Sequence, residues 1–312
     1  MLQMKPNCWS EHGELEAVMI CPPAKVDIPT LKVAEDVQWS APVQQQKAMN
    51  NFLELQNAFL DAGVEVLDYS KELSEEDQLL SKQLLNRFFV RDLACVFGNT
   101  ILPGDPTIFM REPEYVQAHG VLQSWFGSSF IPPAKVGIHA LENGDVLVLN
   151  QNAVFINAGL RTSMESVEIL KQHIFQAGFS EVAVISVPRR GDTLHLDMNC
   201  NVANEDLIIA MEFMRHFPVR VMTEQGDRYE MVPTFLQRHG FEVYWLTEYN
   251  SVPDINYFNI DPETILLSKQ AHKQMLKKHP KLARKKYIEI DVTELEKAGG
   301  GIRCMTLPLR RK

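Results

Sequence analysis

The sequence predicts an α/β protein folded as one domain, residues 1–312. Three observations carry that reading. Short apolar runs recur from end to end of the 312 residues. They alternate with amphipathic stretches of helical period. No low-complexity segment, Pro/Gly-rich linker or close internal repeat divides the chain.

The strand candidates are β-branched or aromatic, and Gly, Pro, Asp or Asn bounds each of them. In order they are Leu15–Ile20 ahead of Pro22, Val64–Leu67 after Gly63, and Ala94–Phe97 between Asp92 and Gly98. Val146–Leu149 and Ala153–Ile156 follow, separated by Asn150 and Asn152, then Val182–Val187 before Pro188. Leu207–Ala210, Val243–Leu246, Thr264–Leu267 and Tyr287–Ile290 complete the set. Helical stretches fall between them at Ala41–Ala62, Ser74–Arg87, Ser163–Ala177, Met231–His239 and Lys269–His279. The spacing alone goes no further than α/β.

Composition narrows the function classes. The chain is 45% hydrophobic and 23% charged with a net charge of −9, spread along its length. That balance argues against a nucleic-acid binder, which carries a basic face. No apolar run approaches the roughly 18–20 residues of a membrane span, and the polar start MLQMKPNCWSEHG is no signal peptide. Five dispersed cysteines without a CxxC pair suit reduced thiols in a cytoplasmic protein.

Chemistry gathers in four places. The run Gly299-Gly300-Gly301-Ile302-Arg303-Cys304 puts three glycines before a cysteine. Glycines permit close approach of a ligand, and nearby amides can stabilise a thiolate. The plainer alternative is a turn feeding a last strand with a buried cysteine. In Gly191-Asp192-Thr193-Leu194-His195-Leu196-Asp197, an extended backbone would project His195 and Asp197 from one face. A histidine there is a proton shuttle and the carboxylate a grip for a cation, or the pair is structural. Phe89-Val90-Arg91-Asp92-Leu93-Ala94 and Leu141-Glu142-Asn143-Gly144-Asp145 each set carboxylates against apolar runs. By themselves these two are ion pairs or turns. Together, one thiol, one histidine and several carboxylates suit a planar cationic electrophile, held by charge-assisted bonds with no metal or cofactor required.

The motifs FVRDLA, LENGDVL, INAGLRTSMESVEIL, HLD and GGGIRCMTLPL occur in the order seen in one superfamily. The chain resembles the arginine deiminases, amidinotransferases and dimethylarginine dimethylaminohydrolases from about Ser10 to Cys304. The resemblance implies a five-bladed, pseudo-symmetric α/β propeller of ββαβ units (a pentein). It also implies roles. Cys304 attacks the amidino carbon, and His195 protonates the leaving amine and later activates water. Asp92 and Asp197 bind guanidinium nitrogens, and Glu142 supports His195. Arg161 matches an arginine on the substrate carboxylate, and Arg111 is either a second carboxylate clamp or a surface ion-pair partner.

Departures are visible too. Asn143 stands where the family often has glycine, and Cys200 two residues beyond HLD reads as a core thiol. The chain is short for a bacterial arginine deiminase. The aspartate of HLD separates it from the dimethylarginine hydrolases, since methylated nitrogens would leave a buried carboxylate unpaired at a cost of about 1–3 kcal/mol. The expected function is therefore hydrolysis of arginine or a close relative, releasing ammonia through a covalent thiouronium intermediate. Amidino transfer to an amine, dimethylarginine hydrolysis and a non-catalytic binding homologue are the alternatives. The expected partner is a small guanidino molecule, and a homo-oligomer is compatible with the sequence.

Overall fold

A computed structural model describes residues 4–247 and 252–312. Its strands group into small sheets, and one connectivity recurs. Two antiparallel strands are followed by a helix, and then by a third strand that lies parallel to the second. Val146–Asn150 and Ala153–Asn157 pair this way, and Glu181–Ile185 returns parallel to the latter. Cys200–Asn204, Leu207–Met211 and Glu242–Leu246 repeat it, as do Phe258–Asp261, Thr264–Ser268 and Lys286–Ile290. The chain ends close a further group. Leu307–Arg311 pairs antiparallel with Leu15–Ile20, which is flanked in parallel by Glu65–Asp68. In the group of Ala94–Phe97 and Thr100–Pro103, the third strand shrinks to one parallel bridge, Ile101 to Phe130.

The second strands are buried on both faces, which is why they read as unbroken apolar runs rather than alternating ones. Helices cover the sheets by ordinary amphipathic logic. Gln45–Asp61 buries Ala48, Phe52, Leu55 and Phe59 at helical spacing against Phe258 and Ile290. Met164–Gln176 starts where Ser163 accepts a hydrogen bond from the Ser166 amide, a side-chain cap for the first turn.

Several elements differ from the sequence expectation. Helix Glu112–Phe126 was absent from it, because its buried face takes in Glu114, Gln117 and His119 among the apolar residues. Polar strands such as Cys200–Asn204 and Gly226–Met231 carry no apolar run to find. The stretch predicted as one helix over 269–279 holds a single helix, Lys273–Leu276, and Pro280–Ala283 follows. Asp254 accepts the His272 amide at 2.6 Å and so fixes the later start, while Pro280 opens the second helix. The helix predicted over 74–87 stops at Ser81. Among the described residues all five cysteines are buried and unpaired, and no helix is long and apolar enough to cross a membrane.

Candidate active site

Segments that lead into or out of the strand pairs converge on a cavity of about 310 Å³. Asp92, Glu142, His195 and Cys304 line it, together with Arg111 and Arg161. Trp39, Phe89, Ile108, Met110 and Met198 supply much of the apolar wall. Each charged side chain comes from a different segment, so the folded connectivity, rather than any local motif, assembles the site.

His195 sits between two carboxylates. Its Nε2 lies 3.0 Å from Glu142 Oε2, and its Nδ1 3.9 Å from Asp92 Oδ1. Burial opposes a charged imidazole, but Asp92 and the Glu142 bond outweigh it and raise its pKa to about 10. Burial likewise lifts Glu142, yet the bond and charge of His195, with Arg111 and Arg161 beyond, hold it near 2. The resting site therefore holds an imidazolium, a proton donor. Asp92, Glu142 and His195 also bring potential ligand atoms within 4.8 Å of one another, and a metal there would have to displace that proton.

The sign of the pH dependence follows. His195 gains stability that is full below its ordinary 6.5 and lost as pH rises through about 10. Glu142 gains stability present above its ordinary 4.5 and lost as pH falls through about 2. The stability gap between wild type and His195→Gln should therefore be widest between about pH 4.5 and 6.5 and narrow toward pH 10. Urea midpoints across that range measure it; a gap that widened with pH would contradict a charged His195.

Gly144 explains why this turn admits no side chain. A Cβ there would lie 2.6 Å from His195 Nδ1 and 3.0 Å from Asp92 Oδ1. Its amide instead donates to Asp92 Oδ1 at 3.0 Å, and Asn143 Nδ2 donates to the Asp92 carbonyl at 3.1 Å. Asparagine in the place of a glycine thus ties the turn to Asp92. Gly144→Ala should cost about 1–3 kcal/mol through this overpacking, read as a lowered urea midpoint.

The thiol lies on a second arm of the site. Cys304 Sγ is 3.6 Å from Asp197 Oδ2, which also takes Arg303 Nη1 at 2.8 Å. Asp197 Oδ1 is buried and has no hydrogen-bond partner among the described residues. Burial, reinforced by Asp197 and Asp92, pushes the Cys304 thiol well above its ordinary value. The three glycines ahead of it serve three purposes. Gly299 takes φ +100°, a Cβ on Gly300 would meet Phe89 at 2.6 Å, and one on Gly301 would meet Asn256 at 2.8 Å. Asn256 Oδ1 accepts the Cys304 amide at 3.1 Å, which fixes the residue's height in the turn.

Two expectations change here. The HLD stretch is not extended: Gly191–Thr193 and Leu196–Met198 are single 3-10 turns. His195 and Asp197 therefore reach different partners, Glu142 and Arg303, instead of sharing a face. Arg111 is buried, not on the surface. Its Nη1 reaches Asp92 at 2.7 Å, its Nε Glu114 at 3.0 Å and its Nη2 the Phe89 carbonyl at 3.3 Å. Three of its five N–H groups are thus engaged within the protein, and it lines the cavity. Arg161 meets Glu142 Oε1 at 3.2 Å and is the more exposed of the two arginines.

Sequence reasoning missed the support under Asp197. Arg303 is 1% exposed and its Nη2 reaches Glu11 Oε1 at 2.8 Å and the Val146 carbonyl at 2.7 Å. Arg91 Nη1 lies 3.9 Å from the other Glu11 oxygen. Arg91 and Arg303 sit inside quoted motifs, where a charged residue beside apolar ones was the only signal, and Glu11 lies in the polar start of the chain.

A family model described as arginine deiminase matches residues 32–234. The chain belongs to the arginine deiminase family, within the superfamily of guanidino-modifying enzymes. It is 24% identical to the uncharacterised Bacillus subtilis protein YkgA, over 99% of this chain and 96% of that one. It is 22% identical to the arginine deiminase of Listeria welshimeri over 77% of this chain, and it spans 65% of that enzyme's length. The fold is shared with a Pseudomonas aeruginosa dimethylarginine dimethylaminohydrolase in complex with citrulline, at TM-score 0.69 and 17% identity, covering 94% and 99% of the two chains. It is also shared with an inosamine-phosphate amidinotransferase from Streptomyces griseus, at TM-score 0.69 and 14% identity, covering 98% and 97%.

Proposed function

We propose that the chain is a cysteine-dependent hydrolase of a guanidino compound, arginine or a close relative, built as a five-bladed propeller of ββαβ units. Five groups of common connectivity and the shared fold of the superfamily support the architecture. The observation that carries the activity is one cavity that joins a buried thiol to a protonated histidine flanked by carboxylates. Asp197, beside the thiol, offers a buried oxygen with no partner, and that suits a guanidinium N–H.

A guanidinium enters between Asp92 and Asp197, and its charge favours loss of the Cys304 proton to solvent. The thiolate adds to the amidino carbon. His195 passes its proton to the departing nitrogen, which leaves as ammonia, and a thiouronium remains on Cys304. Neutral His195 then takes a proton from water as the oxygen attacks. Collapse of that adduct breaks the C–S bond, its hydroxyl proton passes to the departing sulfur to restore the thiol, and the ureido product is released. Arg161 is the candidate grip for a substrate carboxylate, positioned by Glu142.

The experiment is incubation with L-arginine alone, following ammonia and identifying products by mass. Citrulline marks a deiminase, and ornithine with further ammonia a dihydrolase. Product that forms only when an amine acceptor is added assigns amidino transfer instead. No turnover of any guanidino compound, with or without acceptor, sinks the reading. On a substrate that is turned over, His195→Gln should lower kcat by about 10²–10⁴-fold with a smaller effect on KM.

A further inference from the structure

One hairpin stands outside the repeated connectivity. Pro218–Thr223 and Gly226–Met231 lie between the second strand of a group, Leu207–Met211, and its helix, Val232–Arg238. The hairpin joins the neighbouring sheet by pairing antiparallel with Glu181–Ile185, and lengthens that sheet to five strands with Gly226–Met231 at its edge. The inner strand buries Val219, Val221 and Met222. The outer strand buries almost nothing, and Tyr229 is 73% exposed and Met231 43%. A long edge with open backbone groups is a pairing template unless something blocks it. Among the described residues no proline, bulge or covering element blocks this one, its charged side chains are of both signs, and its register runs unbroken from Met231 to Gly226.

The register also says which backbone groups are open. Thr223 and Gly226 close a two-residue turn, so theirs is a hydrogen-bonded pair. By alternation Val221–Arg228 and Val219–Glu230 are hydrogen-bonded pairs too. The amides and carbonyls of Asp227 and Tyr229 consequently point away from the sheet, as does the amide of Met231, whose carbonyl is taken up as the cap of the following helix.

We infer that this edge is the interface between two copies of the chain, paired antiparallel about a two-fold axis at Tyr229. The alternation of open groups allows three compact registers, centred on residues 228, 229 or 230. Centring on 228 sets Arg228 against its own copy, and centring on 230 does the same for Glu230. Either juxtaposes like charges, which is unfavourable. Centring on 229 sets Arg228 opposite the other copy's Glu230 on both sides of the axis. It also makes Tyr229 its own cross-strand aromatic partner, a favourable pair. That register alone engages open backbone groups of Asp227, Tyr229 and Met231 together. A surface that is complementary to itself about one axis is what a two-fold dimer requires. Arg228 and Glu230 already meet within one strand, with Glu181 and Arg238 alongside, so a second copy extends an existing charge lattice.

The test is analytical ultracentrifugation of the full chain, with cysteine variants made in the same background. The five native cysteines are buried, so cross-links report the introduced thiol. Wild type should sediment at twice the chain mass. Tyr229→Cys should form an intermolecular disulfide under mild oxidation, because the two 229 positions face each other. Asp227→Cys should not, because its counterpart is Met231. Tyr229→Pro removes only an outward amide, and should yield a monomer with an unchanged circular dichroism spectrum. Wild type that is monomeric at about 100 µM, where a stable dimer is assembled, overturns the inference, as does Tyr229→Pro that stays dimeric. Asp227→Cys that cross-links as readily as Tyr229→Cys overturns it as well.

Discussion

Cys304→Ala should lower turnover of the guanidino substrate by about 10⁴- to 10⁶-fold, the scale on which enzymes lose a nucleophile that acts as part of a unit. The fold should survive, because the change removes one buried sulfur from an apolar neighbourhood that includes Met305 and Phe89. Its thermal midpoint should stay within a few degrees of wild type. The free thiol is held protonated by burial and by the Asp197 and Asp92 carboxylates. Alkylation of the free protein by iodoacetamide should therefore be slow near neutral pH and accelerate as pH is raised. A bound guanidinium that cannot be turned over neutralises those carboxylates and favours the thiolate, though it also covers the sulfur. Mass spectrometry of Cys304 after timed alkylation separates the two. An alanine variant that retained wild-type rates, or a thiol alkylated fastest at low pH, would remove Cys304 from the mechanism.

The chemical types of the site were legible in the sequence, but their mutual geometry was not. Cys304 stood out because three glycines precede it, and each has its own reason to be glycine in the fold. Asp92, Glu142 and His195 were legible as charged residues breaking apolar runs. What joins them is contact between segments 50 or more residues apart in sequence, as with Glu142 and His195 at a separation of 53. Period-two reasoning on HLD failed because Asp145 Oδ1 accepts the Leu196 amide at 2.9 Å and Asn199 Nδ2 donates to the His195 carbonyl at 3.2 Å, which turns the chain there. The recurring connectivity left no sequence repeat. A strand pair, helix and parallel strand are specified by burial pattern, which many residue choices satisfy. Helix Glu112–Phe126 escaped for the opposite reason: tertiary partners satisfy buried polar residues, such as His119 at 2.7 Å from the Leu93 carbonyl, that local periodicity scores as exposed.

Arg303→Met should cost about 3–5 kcal/mol, the penalty for removing one partner from a buried charge network. Asp197 and Glu11 would then be buried carboxylates with the more distant Arg91 as the nearest remaining cation of the network. The pH dependence distinguishes this cause from loss of packing. In wild type, burial alone would raise Glu11, but Arg303 and Arg91 hold it near 2, below its ordinary 4.5. Its contribution is therefore present above about pH 4.5 and lost as pH falls through about 2. Without Arg303 that contribution disappears at every pH, so the gap between wild type and variant should be widest near neutrality. It should shrink steadily as the buffer is acidified below pH 4.5, as Glu11 is protonated in both proteins. A gap independent of pH would assign the loss to packing of the arginine's methylenes. A gap under about 1 kcal/mol at neutral pH would mean that Glu11 and Asp197 are not held by Arg303 at all. The network also bears on the thiol: with Arg303 gone, Asp197 faces Cys304 without its countercharge, and alkylation of Cys304 should shift to higher pH. Stability and thiol reactivity would then move together, through one guanidinium that never touches the substrate.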